Sequence, residues 1–222
     1  MNRTIKLAIL PALLLTQTAW AQDWTQGWYA GFDYTKSTIN WHGNHDRFTG
    51  VTFTSQLDDK MDGVTFNLGK RFYPWLSVEI NYSRVSSDTM TASKYTGSTG
   101  FALESYLVQF DHDTFSIGPK FVYQLPLDVE LYLKPSLDYT KSRTDINYDF
   151  TSAPVSARVD DNIKKNKTTY GLELGGEWFF YDNYALHLAY KRQYDGFQGE
   201  GFKKEALEFD VDTFKLGLNY YF

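Results

Sequence analysis

Residues 172–190 read Leu172-Glu173-Leu174-Gly175-Gly176-Glu177-Trp178-Phe179-Phe180-Tyr181-Asp182-Asn183-Tyr184-Ala185-Leu186-His187-Leu188-Ala189-Tyr190. Leu172, Leu174, Trp178 and Phe180 before the Asp182-Asn183 pair, and Leu186, Leu188 and Tyr190 after it, hold one parity. Glu173, Glu177 and His187 hold the other. A period of two is a strand signal, and a polar pair between two such runs marks a tight turn. The stretch is a β-hairpin with one apolar and one charged face.

Its opening pattern, apolar-x-apolar-Gly-x-x-aromatic, occurs four times, at Phe66-Asn67-Leu68-Gly69, Phe115-Ser116-Ile117-Gly118, Leu172-Glu173-Leu174-Gly175 and Phe214-Lys215-Leu216-Gly217. Each of the first three copies leads through a short turn, at Tyr73-Pro74-Trp75, Pro126-Leu127-Asp128 or Asp182-Asn183, into a second alternating run. Adding Trp28-Ala30-Phe32-Tyr34 at the start gives one strand, three hairpins and a last strand, eight in all. The links after odd strands are long, at about 42–60, 86–112, 145–166 and 195–208, and those after even strands are turns. Short turns alternating with long loops are the pattern of a transmembrane barrel, and an even strand number returns both termini to the periplasm. The alternating segment Phe101 to Phe110 extends a hairpin above the membrane.

Composition agrees. Trp, Tyr and Phe number 6, 17 and 17, yet 22% of residues are charged, which excludes a helical membrane protein, a coiled coil and a disordered chain. Without Cys there is no disulfide framework, thiolate nucleophile or Cys-ligated zinc, and the net charge of −5 argues against a nucleic-acid partner. Aromatic residues gather at the turn ends of the apolar parity: Trp28, Phe72, Trp75, Phe121, Tyr123, Trp178, Phe180, Tyr184, Tyr220 and Phe222. Rings placed there suit a headgroup-level girdle, so the apolar parity faces lipid. Two outward residues resist the scheme. Pro119 cannot donate to a ladder and requires a bulge or local break, whereas Lys70 lies close enough to the girdle to snorkel.

At the start, Arg3 and Lys6 precede an apolar run from Leu7 to Leu15, and Ala19-Trp20-Ala21 supplies a small-x-small cleavage pattern. Residues 1–21 read as a secretory signal peptide cleaved after Ala21, and 22–222 as an outer-membrane barrel domain.

Gly27-Trp28-Tyr29-Ala30-Gly31, the aromatic hairpins and the terminal Leu216-Gly217-Leu218-Asn219-Tyr220-Tyr221-Phe222 resemble the small eight-stranded outer-membrane β-barrel superfamily of Gram-negative bacteria, similar to the transmembrane domain of outer membrane protein A. That resemblance implies that Tyr220 and Phe222 form a C-terminal signal for the barrel-assembly machinery. It also implies a chain without the peptidoglycan-binding domain of larger members. The expected fold is an all-β, eight-stranded antiparallel up-and-down transmembrane barrel.

Eight strands enclose a lumen that side chains can fill. Inward parity places Asp33, Glu79, Glu130, Asp138, Glu173 and Glu177 there against Arg71, Lys120, Lys134, Lys191 and Lys215. A third turn centred on Asp182 sets Glu177 opposite His187 and Glu173 opposite Lys191. A first turn centred on Trp75 sets Arg71 opposite Glu79, and Lys120 falls near Tyr132, diagonal to Glu130 and Lys134. The expected network of Arg71, Glu79, Lys120, Glu130, Lys134, Glu173, Glu177, His187 and Lys191 plugs the barrel, since unpaired charge is costly in so narrow a space.

His42, His45, Asp46 and Ser55 near the outer rim lack Gly-x-Ser-x-Gly or His-Glu-x-x-His, and two His in a loop are too few for a metal site. No catalytic, cofactor or metal site is therefore assigned. The reading is a structural or surface-interaction protein of the outer membrane, touching lipid and lipopolysaccharide, with four external loops open to a host or cell-surface ligand. The loop from Lys141 to Lys167 carries six basic residues, Lys141, Arg143, Arg158, Lys164, Lys165 and Lys167, and four acidic ones, Asp145, Asp149, Asp160 and Asp161. It reads as a solvated loop of mixed charge, with contact to lipopolysaccharide phosphates or a host polyanion as the alternative. The alternatives are a narrow passive pore and, third, a lipid-modifying enzyme.

Overall fold

The computed structural model describes residues 27–40, 60–87, 90–96, 102–152, 155–200 and 206–222. The reading of residues 1–21 as a signal peptide falls outside them, as do His42, His45, Asp46 and Ser55.

The strands are β1 (Trp28–Asn40), β2 (Lys60–Tyr73), β3 (Leu76–Ser86), β4 (Met90–Thr96), β5 (Ala102–Leu125), β6 (Val129–Ser152), β7 (Val155–Tyr181), β8 (Tyr184–Glu200) and β9 (Ala206–Tyr221). All pairings are antiparallel between chain neighbours, β3 pairs with β5, and β1 pairs with β9, which closes an eight-stranded barrel. Closure satisfies the backbone without a free edge, the condition for strands to cross lipid. Trp28 and Phe222 donate to each other's carbonyls, so the two ends of the barrel meet beside the short turns.

Burial is inverted relative to a soluble protein. Glu173 is 0% exposed and the next residue, Leu174, is 61% exposed, and the same alternation runs around the wall. Exposed apolar surface of that extent needs an apolar solvent, and the charged parity needs the interior. Lys70 follows its expected exception: its ammonium lies 5.2 Å from the Trp28 ring and 5.5 Å from the Phe72 ring, within the girdle.

The strands are longer than the sequence suggests on the side away from the short turns. The expected link at 145–166 is a hairpin instead, with pairing continuing to Ser152↔Val155. β-Branched and polar residues in alternation keep the ladder going after the lipid-facing pattern stops. The short β4 prolongs the line of β3 along β5, where Met90 pairs with Val108. β7 pairs with β8 only as far as Tyr170↔Tyr194, and Asp195 there takes a left-handed conformation (φ 49°). Beyond that point, past the lipid-facing band, β4, β5, β6 and β7 form one sheet, and β8 and β9 form a separate hairpin. The β5 segment 102–112 alone amounts to roughly 35 Å of strand.

Candidate functional site

The lumen is built from residues on the inward parity of every barrel strand. Nearest the short turns, Arg71 on β2 makes a two-pronged pair with Glu130 on β6, at 2.9 and 2.5 Å, and Gln124 donates to the same carboxylate at 3.2 Å. One step further in, the Lys120 ammonium lies 2.6 Å from Glu177 and 3.4 Å from Glu79, between the Tyr29 and Tyr132 rings at 4.9 and 4.3 Å. Tyr29 donates to Glu79 at 2.7 Å, Asn219 donates to Glu177 at 2.6 Å, and Tyr221 also donates to Glu177. Above these, Lys134 joins Glu79 to Glu173, the latter at 2.8 Å, and Lys215 meets the other Glu173 oxygen at 2.7 Å. Tyr132 and His187 are 2.6 Å apart, and His187 Nδ1 lies 2.7 Å from Asp33. Lys191 donates to Asp138 at 2.8 Å and Ser116 at 2.9 Å. Gly175 makes room for this layer, since a Cβ there would come within 2.5 Å of the Tyr132 hydroxyl.

All nine residues expected in the lumen lie there, each 5% exposed or less. Several pairings differ from the expectation. The turn itself is Pro74-Trp75, and a register irregularity between Arg71 and Tyr73 sets the rest of the ladder about Pro74 and not about Trp75. Arg71 therefore stands opposite Ser77, Glu79 stands opposite Gly69, and Arg71 reaches across the lumen to Glu130. Glu177 and Glu173 do stand opposite His187 and Lys191 in register. Glu173 instead meets Lys134, which stands opposite it on β6, and Glu177 reaches past β6 to Lys120 on β5. Lys120 does not sit diagonal to Glu130; Val122 takes the place opposite Tyr132.

Asp138 and Lys215 complete the ion pairs, Asp33 bonds His187 and Asn67, and Tyr29, Tyr132, Tyr221, Asn81 and Asn219 supply further hydrogen bonds. Their inward parity was the only signal for them. Among the described residues no three His, Asp or Glu side chains gather to hold a metal ion.

On the side of the charged layers away from the short turns lies a small polar pocket lined by Ser37, Ser83, Thr114, Thr213, Gln193 and His112. His112 is buried, with Nδ1 3.1 Å from the Ser142 hydroxyl and Nε2 3.0 Å from that of Thr114. Burial above all pulls its pKa down to about 4.

Around the outside, just above the lipid-facing band, the outward parity turns charged. Lys36 lies 4.0 Å from Asp62, Arg84 lies 3.8 Å from Asp113 and Arg192 lies 2.9 Å from Asp210. Tyr34 and Tyr82 donate upward to Asp62 and Asp113 at 2.8 and 3.1 Å. On the β6–β7 side the collar mixes both signs: Lys141 and Arg143 on the outward parity of β6 stand opposite Asp113 and Asp111 of β5, Arg143 is paired with Asp145 at 2.8 Å, and Lys164 of β7 stands opposite Arg143. The Asp145 carboxylate on Arg143 offsets the repulsion between that guanidinium and Lys164 across the ladder.

Similar barrels are known. In solved structures, the attachment invasion locus protein Ail of Yersinia pestis matches at 15% identity, covering 89% of this chain and 99% of its own, with a TM-score of 0.52. Neisserial surface protein A matches at 13% identity, covering 88% and 97%, with a TM-score of 0.53. Ail bound to the heparin analogue sucrose octasulfate matches at 15% identity over 89% and 99%, with a TM-score of 0.51. Among curated proteins none matches by sequence. At these identities the likeness concerns the fold. The family model described as outer membrane protein beta-barrel domain matches residues 7–222. With a closed wall that is apolar outside and charged within, this chain belongs to the outer membrane β-barrel family.

Proposed function

We propose that the protein is a closed scaffold of the outer membrane that works outside the cell through the sheet above its β6–β7 rim. The observation carrying this reading is the lumen itself. Cations and carboxylates from neighbouring and more distant strands meet at hydrogen-bond distance within the bore, Arg71 of β2 reaching Glu130 of β6, and Lys134 and Glu173 are both 0% exposed. Such a fill leaves no route for solutes. The outer surface is then the remaining place for a role.

The outward cations Lys141, Arg143 and Lys164, interleaved with Asp111, Asp113 and Asp145, offer contacts to a sulfated or phosphorylated polyanion, whether lipopolysaccharide or a host polysaccharide. The heparin-analogue complex of Ail is in keeping with that chemistry. The reading has no catalytic residue. It places both termini in the periplasm, treats 1–21 as a cleaved leader, and gives Tyr220 and Phe222 to the barrel-assembly machinery.

Planar-bilayer recording of the refolded protein beside Arg71→Ala and Glu177→Ala tests the closed lumen. A silent wild type with conducting variants supports it; discrete wild-type openings would favour the narrow pore. Retention on a heparin column that drops in a Lys141→Glu/Lys164→Glu variant supports the surface role, and unaltered retention removes it.

A further inference from the structure

Pro119 on β5 and Pro135 on β6 both lie on the lipid-facing parity, near mid-height of the apolar band. Pairing of β5 with β6 passes from Ile117↔Leu137 directly to Phe121↔Leu133. Continued through the lapse, that register sets Pro119 opposite Pro135 and Lys120 opposite Lys134.

The direction of the ladder decides what is lost. Val122 donates to the Trp75 carbonyl, and Phe179 donates to the Asp128 carbonyl. Antiparallel strands alternate the sides to which successive residues donate. Even-numbered β5 residues therefore point to β3, and odd-numbered ones point to β6. On β6, even-numbered residues point to β7 and odd-numbered ones to β5. Pro119 and Pro135 thus occupy one pair that should exchange two N–H···O bonds, and neither has an N–H. Both defects fall on the same seam, and the β3–β5 and β6–β7 ladders stay continuous. The strands do not part there: a Cβ on Gly118 would come within 2.0 Å of the Pro135 carbonyl oxygen. The seam is close-packed but lacks its rungs in hydrocarbon, where no water can replace them.

Directly behind it, Lys120 and Lys134 face one another from the two sides. Alone, they would push the strands apart. Glu79 on β3 reaches both, with Lys120 at 3.4 Å on one oxygen and Lys134 on the other. Further out, Lys191 likewise joins Ser116 of β5 to Asp138 of β6, which stand opposite one another.

We infer that the β5–β6 seam is the place where this wall opens, and that Glu79 holds it shut from the lumen in place of the missing backbone bonds. Glu79 then does two things, filling the bore and latching the wall, so its loss releases one particular pair of strands.

Amide hydrogen exchange on the refolded full chain in nanodiscs tests this. The amides that flank the gap are Ile117, Phe121, Leu133 and Leu137, and Phe32 and Leu218 on the β1–β9 ladder serve as reference. Glu79→Gln should speed exchange at the four flanking amides on the order of tenfold more than at the reference pair. Pro119→Val with Pro135→Val, which restores both donors, should slow exchange at the four amides and make them insensitive to Glu79→Gln. Equal acceleration at Phe32 and Leu218 would overturn the latch. An unaltered rate in the double valine variant would overturn the weak seam, and that arm decides even if Glu79→Gln does not refold.

Discussion

Arg71 and Glu130 are 59 residues apart in sequence and meet across the barrel through two nitrogen–oxygen contacts of 2.9 and 2.5 Å, with the guanidinium 5.4 Å from the Tyr221 ring. This pair lies across the lumen at the end nearest the short turns. Arg71→Met leaves Glu130 buried without its cation, which costs about 3–5 kcal/mol in a buried pair. Urea unfolding of the refolded barrel should register that loss. Arg71→Met combined with Glu130→Leu should recover a large share, and additive losses would mean the two side chains do not act as a pair.

His112 gives the protein an acid-sensitive component. Folded, its ring stays neutral until about pH 4, because burial disfavours the charged form. Unfolded, it takes up a proton near pH 6.5. The unfolded state therefore binds more protons between these values, and stability is full above pH 6.5 and declines as the pH falls toward 4. The change amounts to about 3 kcal/mol at most. Melting temperatures measured from pH 7 to 4 should flatten over that window in His112→Gln.

The turn at Pro126-Leu127-Asp128 holds Leu127 at φ 69° and Asp128 at φ 57°. Leu127 is 87% exposed, so no packing offsets the strain of a left-handed leucine. Leu127→Gly should raise unfolding stability by up to about 1 kcal/mol, the strain relieved outweighing the added chain entropy. A net loss in equilibrium denaturation would mean the exposed side chain has a partner.

Gly175→Ala tests the space under Tyr132. The added methyl would meet the ring and hydroxyl at 2.5 Å, and the ring can yield only by leaving Glu173, 2.8 Å away, and His187. The expected cost is about 2 kcal/mol or more. Unfolding midpoints within error of wild type would show that the ring has slack.

Strand number, direction, lipid face and lumen face were legible in sequence because all follow from one period-two pattern and the alternation of link lengths. Which lumen charges pair was not. A single-residue difference in the centre of the first hairpin's register, Pro74 in place of Trp75, moves Arg71 from Glu79 to Ser77. A lysine can also reach past its neighbour, as Lys191 does in leaving Glu173 for Asp138. The anomaly at Pro119 was visible as a residue unable to donate. Its meaning depended on Pro135, 16 positions away, standing opposite across a gap that only the register reveals. Past the lipid-facing band, where lipid no longer imposes alternation, strand and loop look alike in sequence, and the β6–β7 hairpin was read as a link for that reason.

The seam between β1 and β9 has a consequence for biogenesis. Ser37 and Thr213, bonded across it at 2.9 Å, are 176 residues apart, so this ladder forms only after nearly all of the described chain is available. Until then β1 and β9 each carry a row of unpaired amides and carbonyls that hydrocarbon will not accept. Stepwise insertion strand by strand would expose both rows to lipid throughout. The barrel must therefore enter the bilayer as a nearly finished whole, or with its two raw edges held by another protein until they can be joined. Pairing over such separations is also slow, so the waiting form lasts long enough to need that protection.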